Sequence, residues 1–364
     1  MEKVLHFLNT VFVKGLWQTF CVKWVWQTFC VKWVWETFFV AWIYQAFCKE
    51  FVGKKLKFDK WKGWIYLLPA IALLLVFTVW PIFNTVRIAF LEGYDQLSVM
   101  GGNAEFKVGF GNFVDVINYG EDFVTCLQNT ILLCVLTVPL STILALLIAV
   151  ALNSIKPLQR FLQTIFFLPY VTNSIAIGMV FATMFTQIEV AKGEYSVGII
   201  NNVLGLFGIN PIDWIGAKSE YWANITVMVI YIVWNALPFK ILILLGGLQS
   251  VNKQYYEAAK IDSTPRWRVF TRITVPLLSP MIAYVVITGF IGGFKEYSSI
   301  VGIFGDSMGP VGDAGRMNTI VGLIYNSITN QKYGDASAAA IILFLIIFAV
   351  TLVNLYVSKK KTHY

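Results

Sequence analysis

The sequence predicts an all-α polytopic membrane protein with six spans and an amphipathic helix ahead of them. Composition, proline placement and the distribution of charge between apolar runs carry that prediction. Of 364 residues, 57% are hydrophobic and only 13% charged, against roughly 45–50% and 25% in soluble domains. Several runs reach the roughly 20 apolar residues that cross a bilayer as a helix. Hydropathy places the spans at 64–84, 124–152, 161–185, 222–248, 276–298 and 334–357.

The N-terminal region carries a repeat of period nine. Trp17 to Val25 recurs identically from Trp26 to Val34, and degraded copies start at Trp35 and Tyr44. Nine residues make two and a half helical turns, so successive copies face opposite ways. A helix without Gly or Pro from Leu16 to Val52 would run about 55 Å. Lys23 and Lys32 near its middle are costly in a true span. Residues 1–63 are therefore expected to be an interfacial helix and a basic linker, with Trp and Lys at headgroup level, rather than a seventh span.

The spans themselves are punctuated by prolines. Pro69 and Pro81 fall in the first, Pro139 in the second, Pro169 in the third and Pro238 in the fourth. Each removes a helical hydrogen bond, which lipid tolerates where neighbouring helices or an aqueous cavity satisfy the freed carbonyl. Several together fit a bundle around a path.

The connections set the orientation. Residues 53–63, 153–160, 251–275 and 357–364 hold fifteen Lys or Arg against three acidic residues. The opposite loops, 85–123, 186–221 and 299–335, hold six against thirteen. By the positive-inside rule both ends of the six-span core face the cytoplasm. The net charge of +8 thus belongs to membrane topology, and no nucleic-acid partner is expected.

Other chemistries find little support. Cys126 and Cys134 are eight residues apart in one span, about 12 Å along a helix, too far to bridge. The two histidines, His6 and His363, are terminal, so neither a metal site nor His-based catalysis is expected. No Gly-x4-Gly-Lys-Ser/Thr phosphate loop occurs. A secondary transporter would want intramembrane acids, and only Glu296 qualifies, near a span end. A membrane enzyme would want clustered catalytic groups at one depth.

The connection between the fourth and fifth spans is the most informative stretch. Glu257-Ala258-Ala259 is followed at fixed intervals by Asp262-Ser263 and by Ile273-Thr274-Val275-Pro276. This spacing resembles the EAA loop of ABC importer permeases, with Ser263 at the usual glycine and Val275 at the usual leucine. Leu68-Pro69, Trp80-Pro81, Asn129-Thr130, Val138-Pro139-Leu140, Phe166-Phe167-Leu168-Pro169, Pro211-Ile212-Asp213-Trp214, Gly247-Leu248-Gln249-Ser250, Gly309-Pro310, Tyr325 and Gly334-Asp335-Ala336-Ser337-Ala338 extend the likeness. From residue 64 on, the chain is similar to the larger, MalF-like permease of bacterial sugar importers.

The resemblance implies a six-span type I permease core at 64–364, which is not an enzyme. It implies a second homologous permease, two cytoplasmic ATPases that hold ATP and magnesium, and an extracytoplasmic solute-binding protein. It also implies that Glu257, Ala258, Ala259, Asp262, Ser263, Ile273 and Pro276 form a helix coupling the chain to its ATPase. Serine in place of glycine implies a gentler turn or some strain. Arg266, Arg268 and Arg272 would meet either acidic ATPase surface or lipid headgroups. The solute would be a carbohydrate; EAA loops also serve permeases for phosphate, polyamine or peptide.

For the solute path, helical spacing groups Tyr231, Trp234, Asn235 and Pro238 on one face of the fourth span. Phe290, Gly293, Phe294 and Tyr297 form a similar stripe in the fifth, and Asn173 adds an amide in the third. Aromatic faces beside amides and hydroxyls suit sugar rings, though packing between helices would use the same residues. Lys240, nine residues beyond Tyr231, is expected to snorkel toward the cytoplasm, and Lys295 and Glu296 to sit near the outer surface.

Overall fold

The computed structural model describes residues 59–94, 106–118, 121–155, 159–191 and 194–361. The nine-residue repeat and the interfacial helix expected there lie outside the described residues. The chain divides into two units, Met1–Trp80 and Pro81–Tyr364.

The first apolar run is helical over Tyr66–Ala89. It comprises α1 (Asp59–Leu74), a π segment Leu75–Val79 and α2 (Trp80–Ala89). The π turn leads directly into Trp80-Pro81, where the missing proline N–H makes a regular ladder impossible.

In the second unit, two long helices make the frame: α4 (Glu121–Ser154) and α8 (Tyr221–Ser250) pack along each other. Both contain a proline, Pro139 and Pro238. Hydroxyls on α4 bond back into their own helix, Thr137 Oγ1 to Leu133 O at 2.7 Å and Thr142 Oγ1 to Val138 O at 2.6 Å. The last helix, α15 (Tyr333–Lys361), completes the set of long spans.

The third and fifth spans are broken rather than straight. The third comprises α5 (Gln159–Val171) and α6 (Ser174–Phe185), bent by 105°. Pro169 precedes the break, and Asn173 restarts the helix as its N-cap. The fifth bends by 69° at Leu278, between α11 (Val275–Leu277) and α12 (Ser279–Gly293). Pro280 sits in the first turn of α12, where its missing N–H costs nothing. Taking each bent pair as one span, the described residues hold six runs long and apolar enough to cross a membrane, the number expected.

Short elements fill the end of the bundle remote from Ser250. Two antiparallel hairpins interrupt the all-α pattern, β1 (Leu91–Glu92) with β2 (Lys107–Val108) and β3 (Gln187–Ala191) with β4 (Glu194–Val197). The alternation of Gln187-Ile188-Glu189-Val190 suits a strand, so the connection after the third span is not the plain loop its composition suggests. Helices α3 (Gly111–Asn118), α7 (Ile199–Leu206), α13 (Ser298–Phe304) and α14 (Ile320–Thr329) belong to the same region.

One contact there is closer than side chains permit. A Cβ on Gly178 of α6 would lie 2.7 Å from the Gly302 Cα of α13. The two helices therefore touch backbone to backbone, as small residues allow between helices in membranes.

Candidate functional site

The connection after α8 folds into a discrete helix, α9 (Lys253–Ile261), started by Asn252, whose Oδ1 accepts from Gln254 N at 3.0 Å. It ends in a Schellman turn: Thr264 N donates to Ala259 O at 2.9 Å and Ser263 N to Lys260 O at 3.1 Å. That motif needs a left-handed residue, and Ser263 supplies it at φ +50°. The turn is as tight as a glycine would make it, so the gentler alternative does not occur and serine bears the strain.

The two alanines of this helix face different ways. Ala259 is buried, 5% exposed, so its small size serves packing inside the chain. Glu257, Ala258, Asp262 and Ser263 are exposed, Ile261 at 85% and Trp267 at 72%. Ile273 and Pro276 are half-buried, and Thr274 Oγ1 lies 3.4 Å from the Tyr256 hydroxyl, linking α9 to the segment that follows α10 (Arg266–Val269). The loop thus presents a polar face with two bare apolar side chains.

Among the residues expected on a solute path, most are occupied within the bundle. Tyr231 is fully buried; its hydroxyl donates to Ser174 O and lies 3.1 Å from Ser174 Oγ. Its ring packs on Phe181 and Trp234. Asn173 Oδ1 accepts from Ile175 N and Ala176 N, capping α6. Phe290 and Phe294 pack with Cys134, Val138 and Leu343, and Tyr297 stacks on Tyr325 with ring centroids 4.4 Å apart. Asn235 and Gly293 of that set line a cavity.

This cavity, about 310 Å³, opens between α4, α5, α8 and α12, at the lower end of the roughly 300–1,000 Å³ typical of small-molecule sites. Tyr170 and Phe239, stacked 5.9 Å apart, make an aromatic wall. Thr137, Ser141, Asn235 and Thr288 bring polar groups to it, and Gly289, Gly292 and Gly293 leave the rest of the α12 side without side chains.

Two ionisable residues complete the lining, both placed differently from expectation. Lys240 does not snorkel: it is 5% exposed, and its Nζ donates to Ser141 Oγ at 2.7 Å, Thr142 Oγ1 at 3.1 Å and Val138 O at 3.3 Å. A lysine buried in a span costs up to about 2.5–3.5 kcal/mol on insertion scales, and three bonds to α4 act against that cost. Helical projection put Lys240 opposite Tyr231 correctly, but that face meets α4 rather than lipid. Glu296 also reaches the cavity instead of the outer surface, its Oε1 accepting from Ser299 N at 3.1 Å; its neighbour Lys295 is exposed. The helix stops at Gly293 and the chain turns inward to α13, which Lys295-Glu296 adjacency does not reveal.

Most of the remaining motif residues build the end of the bundle remote from α9. Asn129 Nδ2 donates to Arg316 O and Asn318 O at 3.0 and 2.9 Å, while its Oδ1 accepts from the Tyr221 hydroxyl. Thr130 Oγ1 accepts from Ile320 N. Asn201 holds the Pro211–Trp214 turn through Ile212 and the Trp214 indole. Ala336 and Ala338 are buried, and Ala338 packs with Ala89, Val116 and Phe123.

Residues 138–363 match the family model of the binding-protein-dependent transport system inner membrane component. The chain belongs to this family. It is a membrane transport permease, not an enzyme. It is 30% identical over 295 residues to the lactose transport system permease protein LacF of Rhizobium radiobacter, covering 80% of this chain and 91% of that one. It is similarly 30% identical to the arabinooligosaccharides permease protein AraP of Halalkalibacterium halodurans, over 81% and 87% of the two chains. The trehalose/maltose permease protein MalF of Thermococcus litoralis is 29% identical over 84% and 96%. The fold matches a crystal structure of a bacterial ABC transporter importing the acidic polysaccharide alginate, with TM-score 0.66 and 22% identity over 83% of this chain and 96% of that one.

Proposed function

We propose that this permease carries a carbohydrate, an oligosaccharide by its relatives, through the cytoplasmic membrane. It would act as one half of a heterodimer with a second permease, with both ends of its six-span core in the cytoplasm. Two ATPases would bind ATP and magnesium, and an extracytoplasmic binding protein would deliver the solute. The observation that carries the sugar reading is the cavity beside α8. An aromatic wall, an amide, hydroxyls and a glycine floor are what a ring with apolar faces and a hydroxylated rim needs. The relatives named for lactose, arabinooligosaccharides and trehalose/maltose support the same class.

In this reading α9 is the coupling helix. Its exposed Glu257, Ala258, Ile261, Asp262 and Ser263 would enter a cleft on the ATPase, with Ile273 and Pro276 seating the helix on the fifth span. Ala259 contributes from within, by letting α9 lie close to its own chain. ATP-driven closure of the ATPases would then move α9 and the broken fifth span together, and turn the cavity from one side to the other. Each state must bind ATP and solute differently for the two to be coupled.

The test separates the outward alanine from the inward one. In the assembled importer, Glu257→Lys and Ala258→Trp should abolish solute-stimulated ATP hydrolysis while the chain still inserts and keeps its thermal stability. Stimulated hydrolysis at the unmodified rate in both variants would overturn the assignment of α9.

A further inference from the structure

We propose that the cavity lined by Tyr170, Asn235, Phe239, Lys240, Gly292 and Glu296 is selective for an acidic sugar, a hexuronate unit whose carboxylate docks on the Lys240 ammonium. This rests on the carbohydrate path proposed above and adds its substrate class.

The argument starts from what surrounds the charge. Lys240 Nζ touches two hydroxyls and a carbonyl, all uncharged. Among the described residues Arg316 pairs with Asp313, neither of which lines the cavity, and no ion pair includes Lys240. A glutamine amide could meet a hydroxyl and a carbonyl on α4 without burying a charge. A buried ion is ordinarily paired, and an ionisable residue inside a membrane bundle marks a solute or ion path. Glu296 shares the cavity but lies beyond ion-pair distance of the Lys240 Nζ, so a carboxylate brought by the solute can take that place. Of the three contacts, the 3.3 Å bond to Val138 O is the longest, and it is the one a carboxylate oxygen would most easily replace.

The other lining groups restrict the anion. Glu296 shares the cavity and holds one oxygen on the Ser299 amide, leaving acceptor capacity for sugar hydroxyls. Its acceptor oxygens oppose a dianion such as a phosphate monoester more than a single carboxylate. The Tyr170–Phe239 wall takes a ring face. A Cβ on Gly292 would meet nothing within 4 Å, so that side is open space for the ring. A monoanion with several hydroxyls and a flat apolar face describes a uronate.

The full-length chain in nanodiscs, titrated calorimetrically at low salt, tests this with matched probes. Methyl β-D-glucuronide should bind at least about tenfold more tightly than methyl β-D-glucoside, the gain expected of a charged hydrogen bond, and more tightly than glucose 6-phosphate. In Lys240→Gln the glucuronide should bind no more tightly than the glucoside. Gly292→Leu, which fills open space without a clash, should abolish both. Equal binding of glucuronide and glucoside by the unmodified chain would overturn acid recognition and leave the carbohydrate path standing, even if Lys240→Gln failed to fold. A preference that survives Lys240→Gln, or tighter binding of the phosphate, would also overturn it. Binding of neither sugar would remove both the path and this inference.

Discussion

Ser263 shows how a single side chain can follow a motif while breaking its usual residue. The left-handed conformation at φ +50° costs a residue with a Cβ roughly 1–2 kcal/mol, and the two Schellman bonds from Ser263 and Thr264 hold it there. Ser263→Gly should therefore stabilise the turn by about 1 kcal/mol, read as a rise in thermal midpoint of the purified chain. A β-branched Ser263→Val should lower it. The sequence made the turn legible through its spacing, and left open how serine would manage. Lys240 was less legible. A helical projection gives the angle of a side chain but not whether lipid or another helix lies there, and only tertiary packing placed α4 against it. Glu296 was missed for a related reason, because the chain reverses after Gly293 and carries the carboxylate back inward.

Helices repeat the pattern. All six apolar runs read from hydropathy are helical, because a backbone in lipid must satisfy its own hydrogen bonds. Hydropathy counts length, however, and a bend does not change length. The breaks at Thr172 and Leu278 depend on where a proline N–H is missing and where a cap such as Asn173 is at hand. The prolines were visible, but Pro139 and Pro238 stay inside unbroken helices and Pro169 does not. After Pro169 the chain has Asn173 as a cap and α6 packed on α13. There the Gly178–Gly302 approach leaves no room for a side chain. Gly178→Val should cost roughly 1–3 kcal/mol by overpacking, measured as a lower thermal midpoint. The control Gly205→Ala on α7, where a Cβ meets nothing within 4 Å, should shift it by far less. Comparable losses in the two variants would mean that the α6–α13 contact is not the constraint.

Taken together, the chain is polar at both ends of its bundle but with opposite charge. The acidic loops gather at the end that holds Asp213, Asp306 and Asp313, and the basic ones at the end of α9 and the Lys359-Lys360-Lys361 tail. Cysteines placed singly at Lys218 and Asp313, in a chain lacking its five native cysteines, should react with an impermeant thiol reagent on intact cells. Those at Lys260 and Lys359 should react only after permeabilisation. A reversed pattern at two or more sites would reject the orientation. The same geometry has an electrical side. Lys240 lies ten residues before the end of α8, about 15 Å along the helix, which puts it inside a hydrocarbon layer roughly 30 Å thick. One elementary charge crossing the full membrane field is worth about 2.3 kcal/mol per 100 mV. Rocking α8 through a tenth of that thickness would move its fixed charge through about 0.2 kcal/mol of field energy. On the proposed mechanism the lysine would act as a small gating charge, and turnover would depend weakly on voltage even when the cargo carries no charge.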